Sequence, residues 1–407
     1  MQRGILIDFL DFMLSDNWWI EGEKAWFCAG KINALFCVDL NSQQCKFVAQ
    51  IPVEHVKAPA VYSYCIKYGE IVFCLPSFGI YIWCYDLKRN DWDRIEIENE
   101  YQTLMCLLTC TQNDNQVWFL NAGGNIFGVN FQSRIVEQTY HIPPYKNEIN
   151  GEYILQQNKL YCVSEKKIYC IDISTSNIIT YDVDGVKTGL LTICYDGTNF
   201  WLSGLQKEIY VWNPERGVVK EITEFPKQLG IYKFDSDASF LIDYDLDSNN
   251  AEEVLLYTTS IPLGRYIWYI PWQANYIVYI DRENFEVSLL EVEEEQETKE
   301  SLNREITAKY ALEYIRENRY IGLYSYKNHG IFEIDTIELD VKRKHYRLCS
   351  DAILPIAQIL NGCAGKGLFS ESREYERLFY RESIQSNSVG TRKQFQNIGS
   401  SIYRTLN

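Results

Sequence analysis

Histidine is the first place to look for chemistry, because imidazole changes charge near neutral pH and is the commonest metal ligand. The sequence has four, His55, His141, His329 and His345. None stands in a His-x-x-x-His or Glu-x-x-His spacing, which would set two ligands on one helix face. The 13 cysteines come next. None forms Cys-x-x-Cys, and most lie in apolar runs such as Phe36-Cys37-Val38, Phe73-Cys74-Leu75 and Tyr169-Cys170-Ile171. Cysteines so placed act as small buried hydrophobes of a reducing compartment. Cys106 and Cys110 form a close pair on an inner-strand sequence, without a neighbouring histidine to make a thiolate. Neither a Gly-x-Ser-x-Gly elbow nor a phosphate-cradling glycine loop is present.

Carboxylates offer one more motif. Asp243, Asp245 and Asp247 alternate as the first ligands of a calcium loop do. The match then stops. Ser248 stands where glycine would permit the turn, and Val254 where a bidentate Glu is needed. The stretch reads as a solvated acidic insertion, and no metal or other cofactor is implied.

The bulk composition narrows the partners. Formal net charge is −16 over 407 residues, with 39 basic and 55 acidic side chains. Such a chain repels phosphate backbones, so nucleic acid is set aside. The N-terminal apolar stretches are broken by Asp8 and Asp11, and no later run is long enough for a membrane span. A soluble, cytoplasmic protein is expected. The 30 Tyr, 19 Phe and 10 Trp suit the half-buried surface of strands.

Positioning any site falls to a repeat. Residues 195–217, YDGTNFWLSGLQKEIYVWNPERG, hold a turn at Gly197, Trp201 and then Asn213. The same order recurs as Gly22, Trp26 and Asp39; Gly69, Val72 and Asp86; Asn115, Trp118 and Asn130. It continues as Asn158, Tyr161 and Asp172; Gly264, Trp268 and Asp281; Asn318, Gly322 and Asp335. The first four steps between third anchors are roughly 40–50 residues, the length of a propeller blade. Glycine, Asn or Asp tightens a two-residue hairpin, and the next strand carries the aromatic as a wedge between blades. Ile51-Pro52, Ile142-Pro143 and Phe225-Pro226 end strands, as proline must.

The repeat resembles the broad group of kelch, NHL and WD-type β-propellers. It lacks Gly-His…Trp-Asp pairs and the sialidase Ser-x-Asp-x-Gly-x-x-Trp box, and only Gly123-Gly124 forms a glycine doublet in register. The fold expected is all-β: a β-propeller of seven four-stranded blades with a short helical C-terminal extension. The propeller is placed at 1–350, with blades near 12–52, 60–98, 101–143, 150–184, 189–226, 231–295 and 308–348. A helical or mobile insertion is placed near 293–310, where Leu302, Ile306 and Tyr310 recur at i+4. The tail, 351–407, is read as helical or irregular, with Tyr375, Leu378 and Phe379 on one face. Its Gly399-Ser400-Ser401-Ile402-Tyr403 close is similar to terminal segments of proteins from bacterial surface-glycan gene clusters.

In a propeller, loops joining second to third strands share a face with the blade-to-blade connections. Here those loops carry Lys31, Asn33, Phe78, Asn121, Asn125, Lys166, Gln206, Lys207, Trp272, Gln273, Asn275, Tyr326, Lys327 and His329. Such groups suit an anionic or polyhydroxylated ligand, with Phe78 and Trp272 as stacking platforms. The plainer alternative is that the Asn residues form turns and the Lys residues are solvated tips. The reading leans away from an enzyme, toward a binding or scaffold propeller that presents a loop-lined funnel face to a protein or peptide. Alternatives are a hydrolase or lyase acting on carbohydrate or peptide in the funnel, and an accessory role in a bacterial surface-glycan or peptide-modification pathway.

Overall fold

The computed structural model describes residues 17–30, 32–52, 62–76, 81–97, 107–121, 124–142, 152–204, 207–230, 256–272, 274–292, 309–325, 330–352, 354–356 and 359. Asp243, Asp245, Asp247, Cys106 and the 372–385 stretch lie outside them. Seven antiparallel sheets follow one another along the chain, at 19–50, 62–96, 107–141, 153–182, 190–222, 257–290 and 310–344. Each has four strands in sequence order, so the architecture is the one the repeat predicts: a seven-bladed β-propeller.

Turn chemistry accounts for that regularity. The first anchor opens the hairpin between first and second strands. Gly22, Gly69, Asn158, Gly197, Gly264 and Asn318 all have φ between 48° and 99°. Blade three replaces the left-handed residue with a side-chain bond, Asn113 Oδ1 accepting the N–H groups of Asn115 and Gln116 at 2.9 Å each. The third anchor ends the third strand and folds the turn to the fourth. In every blade its side-chain Oδ1 accepts a backbone N–H two or three residues on, from Ser42, Lys88, Gln132, Ser174, Glu215, Glu283 and Ile337. Four residues past each anchor the backbone turns left-handed, at Gln43, Asn90, Arg134, Ser176, Gly217, Phe285 and Leu339. Asn130→Ala in blade three is therefore expected to cost about 1 kcal/mol in denaturant unfolding. Asn130→Asp, which keeps the acceptor, should leave the midpoint unchanged.

The second anchor packs between blades. Trp118 joins Tyr153, Leu160 and Cys162 of blade four. Tyr161 joins Ile193, Phe200 and Leu202 of blade five. Trp201 meets Tyr257, Ile267 and Tyr269 of blade six, and Trp268 meets Ile321, Leu323 and Phe332 of blade seven. Trp201 also donates its indole N–H to Asp196 Oδ2 at 2.7 Å, tying the wedge to its own hairpin turn. In blade seven the aromatic comes from the first strand instead. Tyr314 lies over Gly322, where an added Cβ would meet its ring at 2.3 Å.

The described residues fall into two compact units. The first (Met1–Glu96, His329–Ile331, Arg343–Asn407) carries blades one and two. On its blade one, Trp18, Phe27 and Phe36 stack in a row, with Tyr346 edge-on to Trp18. Arg347–Leu348 adds a fifth strand, parallel to Gln44–Cys45, along the outer edge of blade one. The second unit (Ile97–Asn328, Phe332–Lys342) carries blades three to six and most of blade seven. Tyr310, which the i+4 spacing groups with Leu302 and Ile306 on a helix, instead opens the strand Tyr310–Arg316. Its ring is buried against blade six, and a register shift between Leu312 and Tyr314 turns Tyr314 onto Gly322 instead. A 3-10 turn at Ser350–Ala352 and helical residues 354–356 follow the last strand.

Candidate functional site

In the second unit, the loops between second and third strands are stitched to the connections between blades. Ile142 donates its N–H to Gly124 O at 2.8 Å. Val183 and Leu190, which flank the connection from blade four to blade five, donate to Lys166 O and Glu165 O at 2.9 and 2.6 Å. Asn275 is consumed in the same work. Its Oδ1 accepts the Gly230 N–H at 2.9 Å, its Nδ2 donates to Gln228 O at 2.8 Å, and its carbonyl accepts Lys309 Nζ at 2.7 Å. Trp272 is half-buried, held by backbone bonds to Leu256 and Lys309. Asn125 is buried, with Oδ1 3.1 Å from Nδ1 of exposed His141. Asn121 ends the second strand of blade three.

The side chain of Lys166 is exposed and that of Lys207 half-buried on this face. In the first unit, Asn33 takes φ 48° and its carbonyl accepts the Ile51 N–H at 2.9 Å. Lys31, Phe78, Gln206, Gln273, Tyr326, Lys327 and His329 lie outside the described residues.

Two carboxylates that sequence reasoning passed over sit on the same face of the second unit. Glu152 stands just before the first strand of blade four, Tyr153–Gln156. Its Oε2 accepts the N–H of Ile193 in blade five at 3.1 Å and of Ser260 in blade six at 3.4 Å. Its Oε1 accepts the Thr259 hydroxyl. One side chain thus ties the first strands of two further blades to its own. Burial pushes its carboxyl up to about 7, against the bonds from Thr259, Ile193 and Ser260 that pull it down. Behind it lie Cys194, Tyr257 and Tyr269, whose acidic protons burial holds in place well beyond neutral pH.

Glu208 is the second. It closes the loop that holds Lys207 and is only 2% exposed. It accepts the Thr188 N–H at 3.3 Å, the Thr188 hydroxyl, and the Tyr210 hydroxyl at 2.7 Å. Gly204 leaves it room, since a Cβ there would lie 2.3 Å from Oε1. Beneath it Thr192 and Ser203, both fully buried, share a 2.8 Å bond between their hydroxyls. The one sequence signal for either group is a carboxylate beside an apolar strand, in Gly-Glu152-Tyr-Ile-Leu and Lys-Glu208-Ile-Tyr-Val. Both are engaged by donors on every side, so the arrangement braces the loops rather than presenting a free acid or base.

No family model and no curated protein matches this chain. Among solved structures it is similar to a chain of the Mitotic Checkpoint Complex, at 11% identity and TM-score 0.50, covering 85% of this chain and 89% of that one. The likeness is one of fold alone. The β-propeller domain of Cps50 (Swd1) from Myceliophteria thermophila matches at 10% identity and TM-score 0.46, over 70% of this chain and 86% of that one. BamB from Moraxella catarrhalis matches at 11% identity and TM-score 0.45, over 77% and 82%. Among the described residues no helix is long and apolar enough to cross a membrane.

Proposed function

We propose that this propeller is a non-catalytic binding or scaffold protein, and that the face carrying its second-to-third-strand loops meets a protein or peptide partner. One observation carries the reading. Among the described residues of these loops, Asn33, Gly124, Glu165, Lys166 and Asn275 are pinned by backbone bonds to neighbouring connections, while the Lys166 side chain reaches solvent. A surface whose backbone is already ordered loses little entropy when a partner docks. The cations there, on a chain of net charge −16, favour a partner with acidic or amide groups at the contact. A hydrolase or lyase that used a carboxyl as its general acid or base would need that group free to exchange a proton with substrate. Glu152 is occupied by Thr259, Ile193 and Ser260. Buried free thiols such as Cys28, Cys65, Cys162 and Cys194 suit a reducing, cytoplasmic setting.

The test is affinity capture from the native host with the full chain and with Lys166→Glu/Lys207→Glu, read by quantitative mass spectrometry. A protein retained by the parent chain should fall at least tenfold in the variant, at unchanged melting temperature. Equal recovery would mean that this face does not bind it.

A further inference from the structure

The outer strands of the blades differ in how their open edges are covered. Blade one has the added strand Arg347–Leu348, whose flanking N–H groups at Arg347 and Cys349 bond Gln43 O and Cys45 O at 2.8 Å each. The outer strands of blades two and seven, Asp91–Glu96 and Asp340–Lys344, are dense with charge. Those of blades three and five carry Glu137 and the Lys220-Glu221 pair. Charges of this kind keep an edge from pairing with another chain. Blade six has no charge on its outer strand, Val287–Leu290, but each of its four residues is half-buried. The outer strand of blade four, Ile178–Asp182, reads IITYD: its one charge stands at the last residue, and Ile178 is 46% and Ile179 50% exposed.

The ladder shows which backbone groups this strand leaves open. Asp172 N–H bonds Asn177 O, and Val183 N–H bonds Lys166 O, both at 2.9 Å. Between them the register runs Ile171↔Ile178, Cys170↔Ile179, Tyr169↔Thr180, Ile168↔Tyr181 and Lys167↔Asp182. Hydrogen-bonded pairs alternate in an antiparallel ladder. Residues 177, 179, 181 and 183 therefore point their N–H and C=O inward. Ile178, Thr180 and Asp182 point theirs outward.

We propose that this edge is a strand-addition site for an extended segment of a partner protein. The segment would be rich in small β-branched residues, with a cation opposite Asp182. Main-chain bonds to Ile178, Thr180 and Asp182 would hold it, and the exposed isoleucines would select its side chains. Charge sets the cation: Asp182 lies 3.7 Å from Lys167 Nζ yet keeps 79% of its side chain exposed, and Asp184, two residues on, is exposed as well. Charge also disfavours a second copy of this chain. Symmetric pairing about Thr180 would set Ile178 against Asp182 twice, between two bodies of net charge −16. The site stands whether or not the loop face binds a partner.

The experiment uses the full chain and a labelled, end-capped peptide Lys-Val-Thr-Val-Thr, read by fluorescence anisotropy and amide exchange. Saturable binding is expected, with exchange at Ile178 and Thr180 slowed at least tenfold. Thr180→Pro removes only an outward donor and should weaken binding at least tenfold. Ile179→Lys, which sets a cation beside the peptide, should do the same and serves if the proline variant does not fold. Absence of binding at about 1 mM peptide, a very weak affinity, overturns the proposal. So does binding that neither substitution alters. Concentration-dependent dimerisation abolished by either substitution would assign the edge to a second copy and overturn it equally.

Discussion

At pH 8, Glu152→Gln is expected to be more stable than the parent chain, and at pH 5 the two are expected to nearly coincide. The parent carboxyl titrates near 7 when folded, against an ordinary 4.5. A folded value above the unfolded one means that the native state holds the proton more tightly. The stability this contributes is fully present below about pH 4.5 and is lost as pH rises through about 7. A carboxyl moved that far makes the chain lose about 3 kcal/mol across that window. Glutamine has no proton to lose. Its carbonyl can take the Ile193 and Ser260 N–H groups now on Oε2, and its amide can donate to Thr259 Oγ1. Urea unfolding at half-unit steps from pH 5 to pH 8 measures the difference. Parallel stability curves for the two proteins would sink the assignment.

Gly128→Ala is expected to cost about 3 kcal/mol or more, the upper range for overpacking a rigid core. Gly128 lies in the third strand of blade three, opposite Trp118. A Cβ there would lie 2.4 Å from Cη2 and Cζ3 of that indole. The ring cannot swing away, because Trp118 is fully buried and stacks on Tyr140 at 5.9 Å between centroids. Trp118→Leu is destabilising alone, by opening a cavity. Combined with Gly128→Ala it should cost clearly less than the two changes added together, since the methyl then occupies part of the space the indole left. Additive losses in chemical denaturation would show that the two residues do not share one volume.

How much of this was legible from sequence depends on how far each feature reaches along the chain. The hairpin anchors act within a few residues. Gly22 and Gly69 supply a left-handed turn, and Asp39, Asp172 and Asp281 fold the next turn onto their own side chains. Each such step leaves its trace in the order of residues, and seven repetitions give the blades and their number. Asn33 and Asn275 were legible only as turn-forming types. Which groups they bond was not, because the partner of Asn275 Oδ1 is 45 residues away. Tyr310 shows how a short apolar spacing misleads: i+4 recurrence fits a helix until the sheet beside it claims the strand.

The sequence by itself determined the repeat, the all-β class and the residues that end each strand, since those are settled by local φ and side-chain-to-backbone bonds. Only the tertiary structure decided the rest. Glu152 gains its character from Ile193, Thr259 and Ser260, which are 41, 107 and 108 residues distant and meet it when blades stack. The open edge at Ile178–Asp182 is likewise a fact of what lies beside it. Burial and pairing partners depend on chain segments far apart in sequence, and no window along one blade contains them.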